Sequence, residues 1–191
     1  MMNEKSKAGE SVVCAVTRSG GIQNTARAGG VFHFQCFDKE GNLKWKDSAK
    51  NLVVNEGLKD MNDKYFSGSG YTAAWYLGLI TGPAASTSFV AGDTLATHGG
   101  WTEDTNYTGN RKAVTFGAAT TADPSVISNS ASPSQFTMNG TTTIAGAFLT
   151  NVATGTSGIL FSEADFQSPG DRAVVSGDVL NVTYTFSLDA A

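Results

Sequence analysis

The chain has 191 residues and a mass of 19.9 kDa, with 40% hydrophobic residues, 16% charged residues, 22 glycines and a formal net charge of −4. That is enough chain to bury one core without help from disulfides or a structural metal, and the low charge and high Gly, Ser and Thr content favour short strands and tight turns over long helices. No run approaches membrane-spanning length, and the apolar stretch Val12–Val16 is too short for a signal-peptide core, so the expectation is a soluble product made in the cytoplasm.

Residues 1–30 carry Gly9, Gly20, Gly21, Gly29 and Gly30 among small polar residues, with one β-like patch at Val12-Val13-Cys14-Ala15-Val16. Glycine loses the most entropy on ordering, so this stretch is predicted to be an extended arm that is ordered only by contact with something else. Charge supports a docking role: residues 1–50 sum to +3 and the remainder to −7. The candidate partner-binding residues of the arm are Val12, Val13, Val16, Arg18 and Arg27.

Residues 31–191 are predicted to form the body. Val31–Phe37 alternates, with Phe32, Phe34 and Cys36 on one face; Asp38–Asn42 has turn chemistry, and Leu43–Asp47 alternates again with Leu43 and Trp45 inward. One helix is expected near 56–66, capped by Asn55, with Leu58, Met61, Asn62, Tyr65 and Phe66 on the inner face and Gly68 as its stop. Further strands are expected at Thr72–Ile80, Ala113–Phe116, Gln135–Asn139, Thr143–Thr150, Gly158–Phe161 and Asp178–Leu188, with a long loop from Ala84 to about Gly109 anchored by Trp101 and Tyr107. This spacing predicts an all-β fold, a β-sandwich or jelly-roll-like body with one short helix and an extended N-terminal arm.

Motifs that would carry chemistry are incomplete. Cys14 and Cys36 form no CxxC pair and read as reduced thiols, and His33 and His98 lack metal-ligand spacing. Gly68-Ser69-Gly70 is no nucleophile elbow, and Ala28-Gly29-Gly30 lacks the Lys-Ser/Thr of a phosphate loop. Asp104–Gly109 imitates the first half of a calcium loop, but Thr115 stands where the bidentate Glu belongs. Glu103, Asp104, Glu163 and Asp165 read as polar turn residues, although a spatial acid pair is invisible to spacing. The Asn-x-Thr triplets at Asn106, Asn139 and Asn181 matter only on secretion, and Trp45, Trp75 and Trp101 beside apolar runs read as core rather than as a sugar platform. The expectation is a protein with no enzymatic activity, no cofactor and no metal.

Several stretches together resemble small virion structural proteins of tailed bacteriophages: Asn51–Leu58, Trp75–Ile80, Asp93–Glu103, Ser128–Pro133, Gly146–Thr150 and Gly177–Phe186. The similarity covers roughly residues 50–188 and consists of packing and turn motifs. Within that class it is most similar to head decoration, or cement, proteins. The resemblance implies a protein on the capsid surface that binds the major capsid protein, forms a homo-oligomer there and contacts neither nucleic acid nor membrane. The alternative it implies is a tail, fibre or head-spike protein binding a host surface glycan.

Overall fold

The computed structural model describes residues 26–68, 70–84, 89–167 and 170–190. In chain order its elements are β1 (Ala26–Phe37), β2 (Leu43–Lys50), β3 (Leu52–Val53), α1 (Asn55–Tyr65), β4 (Tyr76–Thr81), β5 (Thr102–Asp104), β6 (Lys112–Ala113), β7 (Ser125–Ser128), β8 (Ser134–Thr137), β9 (Thr142–Thr150), β10 (Leu160–Asp165), β11 (Arg172–Val174) and β12 (Val179–Ala190). One sheet has the order β2-β1-β12-β7, with β8 also on β12; the other has the order β3-β10-β9-β4-β5, with β11 on β9 and β6 on β4. All pairings are antiparallel, and the two sheets make a β-sandwich, as expected.

The strands at the two ends of the described body pair with each other along their whole length, from Ala26 opposite Ala190 to Phe37 opposite Val179. Their period-2 patterns meet face to face: Phe32, Phe34 and Cys36 of β1 and Leu180, Val182 and Tyr184 of β12 all point into the space between the sheets. Leu77, Leu79, Ala147, Leu149 and Ala164 meet them from the other sheet. Between the stretches where β12 pairs with β8 and with β7, the side chain of buried Asn129 replaces the missing ladder. Its Oδ1 accepts from the Tyr184 N–H at 2.7 Å, and its Nδ2 donates to the Val182 carbonyl at 3.4 Å.

The hairpin differs from expectation at one residue. A bulge between Cys36 and Phe37 puts Trp45 opposite Cys36 but Leu43 opposite Phe37, so Leu43 leaves the inner face and is 51% exposed. Residues 26–30, expected in the arm, belong to β1, and Arg27 stands opposite Asp189 as a strand residue rather than an arm residue. Val12, Val13, Val16 and Arg18 lie outside the described residues, as do Cys14 and Ser69. Strands β3, β7 and β11 were not anticipated, and β5 lies within the expected long loop.

Helix α1 forms where expected but is turned about its axis by roughly 100° from the expected face. Its N-cap is Val54, without a side-chain cap, and Asn55 is the first helical residue, its N–H held by the Ala91 carbonyl at 2.8 Å. Gly57 and Asp60 are the buried positions and Met61 is half-buried, whereas Leu58, Tyr65 and Phe66 are exposed. The cause is Gly57: a Cβ there would strike the Phe161 carbonyl, so its missing side chain lets the helix backbone rest directly on β10. The Glu56 carboxylate completes the joint by accepting the Leu160 N–H at 2.9 Å. Gly57→Ala, which raises intrinsic helix propensity, is therefore expected to lower stability by about 1–3 kcal/mol through overpacking, measured by urea unfolding.

Candidate functional site

The second sheet is buried on both faces. A second apolar cluster, Val54, Ile80, Leu95, Trp101, Ala145, Phe148 and Leu160, lies apart from the intersheet core, so β9 and β10 are buried almost throughout. This burial corrects the reading of the acidic residues as turn positions: Asp104 and Glu163 are fully buried, Asp165 nearly so, and all three lie in strands.

Each acid is held differently. Asp104 accepts from the Thr81 hydroxyl at 3.0 Å, the Thr142 hydroxyl at 2.8 Å and the Asn106 N–H at 2.8 Å, which occupies the oxygens that a calcium ion would need. Glu103 takes a two-pronged contact from Arg111, at 2.8 and 2.7 Å, and the guanidinium lies over the Phe148 ring while also donating to the Val152 carbonyl. Glu163 accepts at 2.6 Å from Nε1 of Trp101, whose ring is sandwiched between His98, stacked at 3.7 Å, and Phe148. Oε1 of Glu163, Oδ1 of Asp165 and Nδ1 of His98 are buried without a hydrogen-bond partner.

Burial, with Asp93 nearby, raises the Glu163 carboxyl to about 8, against the opposing pull of the Trp101 N–H. Burial and the charge of Asp171 raise Asp165 to about 6, and burial lowers His98. Near neutral pH Glu163 is thus largely protonated and Asp165 largely ionised, and the Glu163–Trp101 contact pins the segment before β5 onto β10. Cys36, the one free cysteine among the described residues, is buried beside Asp178, and burial pushes its thiol up to about 12, so it is a core residue rather than a nucleophile. His33 lies on the outer face of the first sheet and His98 in the loop before β5, and no group of three or more His, Cys, Asp or Glu among the described residues could hold a metal ion.

Two surfaces remain. On the outer face of the first sheet a depression of about 810 Å³ is lined by His33, Gln35, Lys46, Ser48, Asn181 and Thr183 among others. The register aligns Lys46, Gln35, Asn181 and Gln135 in one row and Ser48, His33 and Thr183 in the next. At the end of the body where β1 begins, an apolar groove of about 530 Å³ runs between Ala26 and Leu188 on one side and Met61 and Tyr65 of α1 with its C-cap Phe66 on the other, with Tyr71 and Trp75 closing it. Tyr65 is 83% and Phe66 78% exposed, and their rings pack edge to face at 4.9 Å. Sequence periodicity found these side chains but assigned them to the core; the one local signal of the rotated face is Gly57, one position before Leu58 of the stripe.

Among the described residues no helix is long and apolar enough to cross a membrane. Comparison with protein-family models, with curated proteins and with solved structures gave no match.

The sign of the acid cluster's pH dependence follows from its raised carboxyls. Glu163 and Asp165 bind protons more tightly folded than unfolded, so their contribution is fully present below the unfolded values near 4 and is lost as pH rises toward about 8 and about 6 respectively. Thermal unfolding is expected to show stability falling between pH 5 and 8. Glu163→Gln, which keeps an acceptor for Trp101, should flatten most of that slope and be more stable than the unaltered chain above pH 8, by an amount on the order of a few kcal/mol.

Proposed function

We propose that the protein is a bacteriophage capsid decoration protein, a non-catalytic subunit that binds the assembled head shell and stabilises it. The observation that carries this reading is the gathering of exposed apolar side chains, Leu58, Tyr65, Phe66 and Tyr71, on the side of the body where residues 1–25 join it at Ala26. Large apolar groups so exposed mark interaction surfaces, and Tyr and Phe are the side chains enriched there. The resemblance of residues 50–188 to head decoration proteins supplies the partner, the major capsid protein, and a location on the capsid surface. Binding only the assembled shell would stabilise it by mass action, with no chemical step.

Removal of residues 1–25, which leaves β1 intact, and separately the pair Tyr65→Ser and Phe66→Ser, are each expected to weaken binding to shells of the cognate major capsid protein at least about tenfold, equivalent to ~1.4 kcal/mol. Co-sedimentation measures this, with circular dichroism confirming the fold. Undiminished occupancy by both variants would overturn the reading.

A second reading, a tail, fibre or head-spike protein that binds a host surface glycan, is favoured by the polar depression over β2, β1 and β12. Its rows of amide and hydroxyl side chains on a rigid sheet offer the donors and acceptors that a sugar needs. Binding of the purified protein on a glycan array, lost on Gln35→Ala together with Asn181→Ala, would replace the first reading; a blank array removes the second.

A further inference from the structure

Strand β10 is bordered on one side only by β3, whose two residues stand opposite Ser162 and Glu163, so among the described residues no strand covers that edge of β10 beyond Glu163. A cavity of about 270 Å³ lies there, between the end of β10 and the passage from β2 into β3. Leu52 stands opposite Glu163 and Asp165 follows two residues on, so the three side chains share one face of the sheet. Leu52 and Phe89 give the cavity an apolar wall, both packed against the second apolar cluster, and exposed Lys50 and Gln167 stand at its mouth.

Five buried side-chain atoms among the described residues have no hydrogen-bond partner, and three of them belong to residues lining this cavity: Oε1 of Glu163, Oδ1 of Asp165 and Oδ1 of Asn51. Glu163 is wholly buried and Asp165 is 7% exposed, yet neither pairs with a Lys, Arg or His nitrogen of the described residues. Asn51 commits its Nδ2 to the Tyr184 hydroxyl, which leaves its oxygen as the free end. Burying an unpaired acceptor is costly, and burying an unpaired carboxylate more so. All three free atoms are acceptors, so the missing partner is a donor, and two carboxylates call for a positive one. An ammonium group brings three donors. A metal ion would need a larger set of oxygen or imidazole ligands, and no such group occurs among the described residues. We infer that this cavity binds the ammonium end of a short aliphatic amine, with the stem of the amine lying along Leu52 and Phe89.

The other charges near the two carboxyls favour a cation. Asp93, buried in the loop before β5, lies beside Glu163, and the charge of Asp171 acts on Asp165. His98, stacked on Trp101, is lowered by burial and stays neutral near pH 7. Lys50 is the cation that lines the cavity, and it is exposed at the mouth instead of paired within. A bound cation favours the ionised form of both carboxyls, so protons leave as it enters. With Asp165 raised to about 6 and Glu163 to about 8, affinity rises with pH through that range, while an alkylammonium, like lysine, keeps its charge to about pH 10. The inference goes beyond the capsid reading and is independent of it.

Titration of the purified full chain with butylammonium chloride, followed by heteronuclear NMR, tests the site, because the Trp101 indole N–H that donates to Glu163 reports from beside it. A saturable shift of that resonance is expected, with a dissociation constant below about 1 mM near pH 7 and binding at least about tenfold weaker at pH 5. Glu163→Gln combined with Asp165→Asn should weaken binding near pH 7 at least about tenfold. Butanol, which has the stem without the charge, should leave the resonance in place. The butanol comparison and the pH dependence are read on the unaltered chain, so they decide the matter even where the double variant fails to fold. Binding of Nα-acetyl-lysine amide as well would make a lysine side chain of a partner the source of the ammonium, and binding of butylammonium alone would make it a free amine; either upholds the site. No saturable shift, or an equal shift with butanol, overturns it. Binding that appears only in Lys50→Ala overturns the external amine and gives the cavity to the chain's own lysine.

Discussion

The pairing of β1 with β12 is the constraint on which the rest of the body depends. It joins the two ends of the described chain over twelve facing residue pairs and sets the inward side chains of both strands against the second sheet. Contacts so distant in sequence must form against a large loop-closure entropy, and they are rewarded only when the intervening elements pack beneath them. Tyr184 sits at the centre of this arrangement. Its ring packs on Phe32 at 4.6 Å, its hydroxyl accepts from Asn51 at 2.8 Å and from Ser162 at 3.2 Å, and its backbone is bridged by Asn129. One buried side chain thus touches the strand junction, the start of β3 and the facing sheet.

The second sheet meets a different constraint, because covering both of its faces removes water from strands that carry acids. The three buried acids show three outcomes of one desolvation cost. Asp104 is satisfied by hydroxyls and an N–H, Glu163 shares one strong donor and retains its proton, and Asp165 is left partly unsatisfied. Nearer the surface, one ion pair links the sheets, Arg172 of β11 reaching Asp47 of β2 at 2.5 Å, and a second, Lys44 to Asp178 at 2.5 Å, ties β2 to the start of β12 within the first sheet. The sandwich is thereby fastened at its edge as well as through its core.

Much of the fold was legible because the first sheet has one wet face. Alternation in Val31–Phe37 and Val179–Leu188 identified the inward residues of β1 and most of β12, and Asp38–Asn42 marked the turn, where Gly41 adopts φ +87°. The reading failed where tertiary contacts overrule local pattern. The bulge that ejects Leu43 lies in the pairing rather than in either strand alone. The helix was found by its period but docks about 100° round from the apolar stripe, because the absence of a side chain at Gly57 lets that face rest on β10. Glu163 and Asp165 looked like turn residues because the partner that lets Glu163 be buried, Trp101, is 62 positions away. Of the arm residues singled out, Arg27 is a strand residue; the apolar face beside the arm went unanticipated, since its members had been assigned to the core.

Because Ala26 and Ala190 stand directly across from one another, the polypeptide enters and leaves the body at a single corner. Topologically the body is nearly a closed ring, and a short linker joining these two positions would let the chain be opened elsewhere, for example at the exposed Asp38–Asn42 turn, with the wiring of both sheets retained. The same geometry sets both terminal strands of the described body, through Ala26 and Leu188, against the aromatic groove, so a partner seated there would meet the two strands at once instead of one pole of the body.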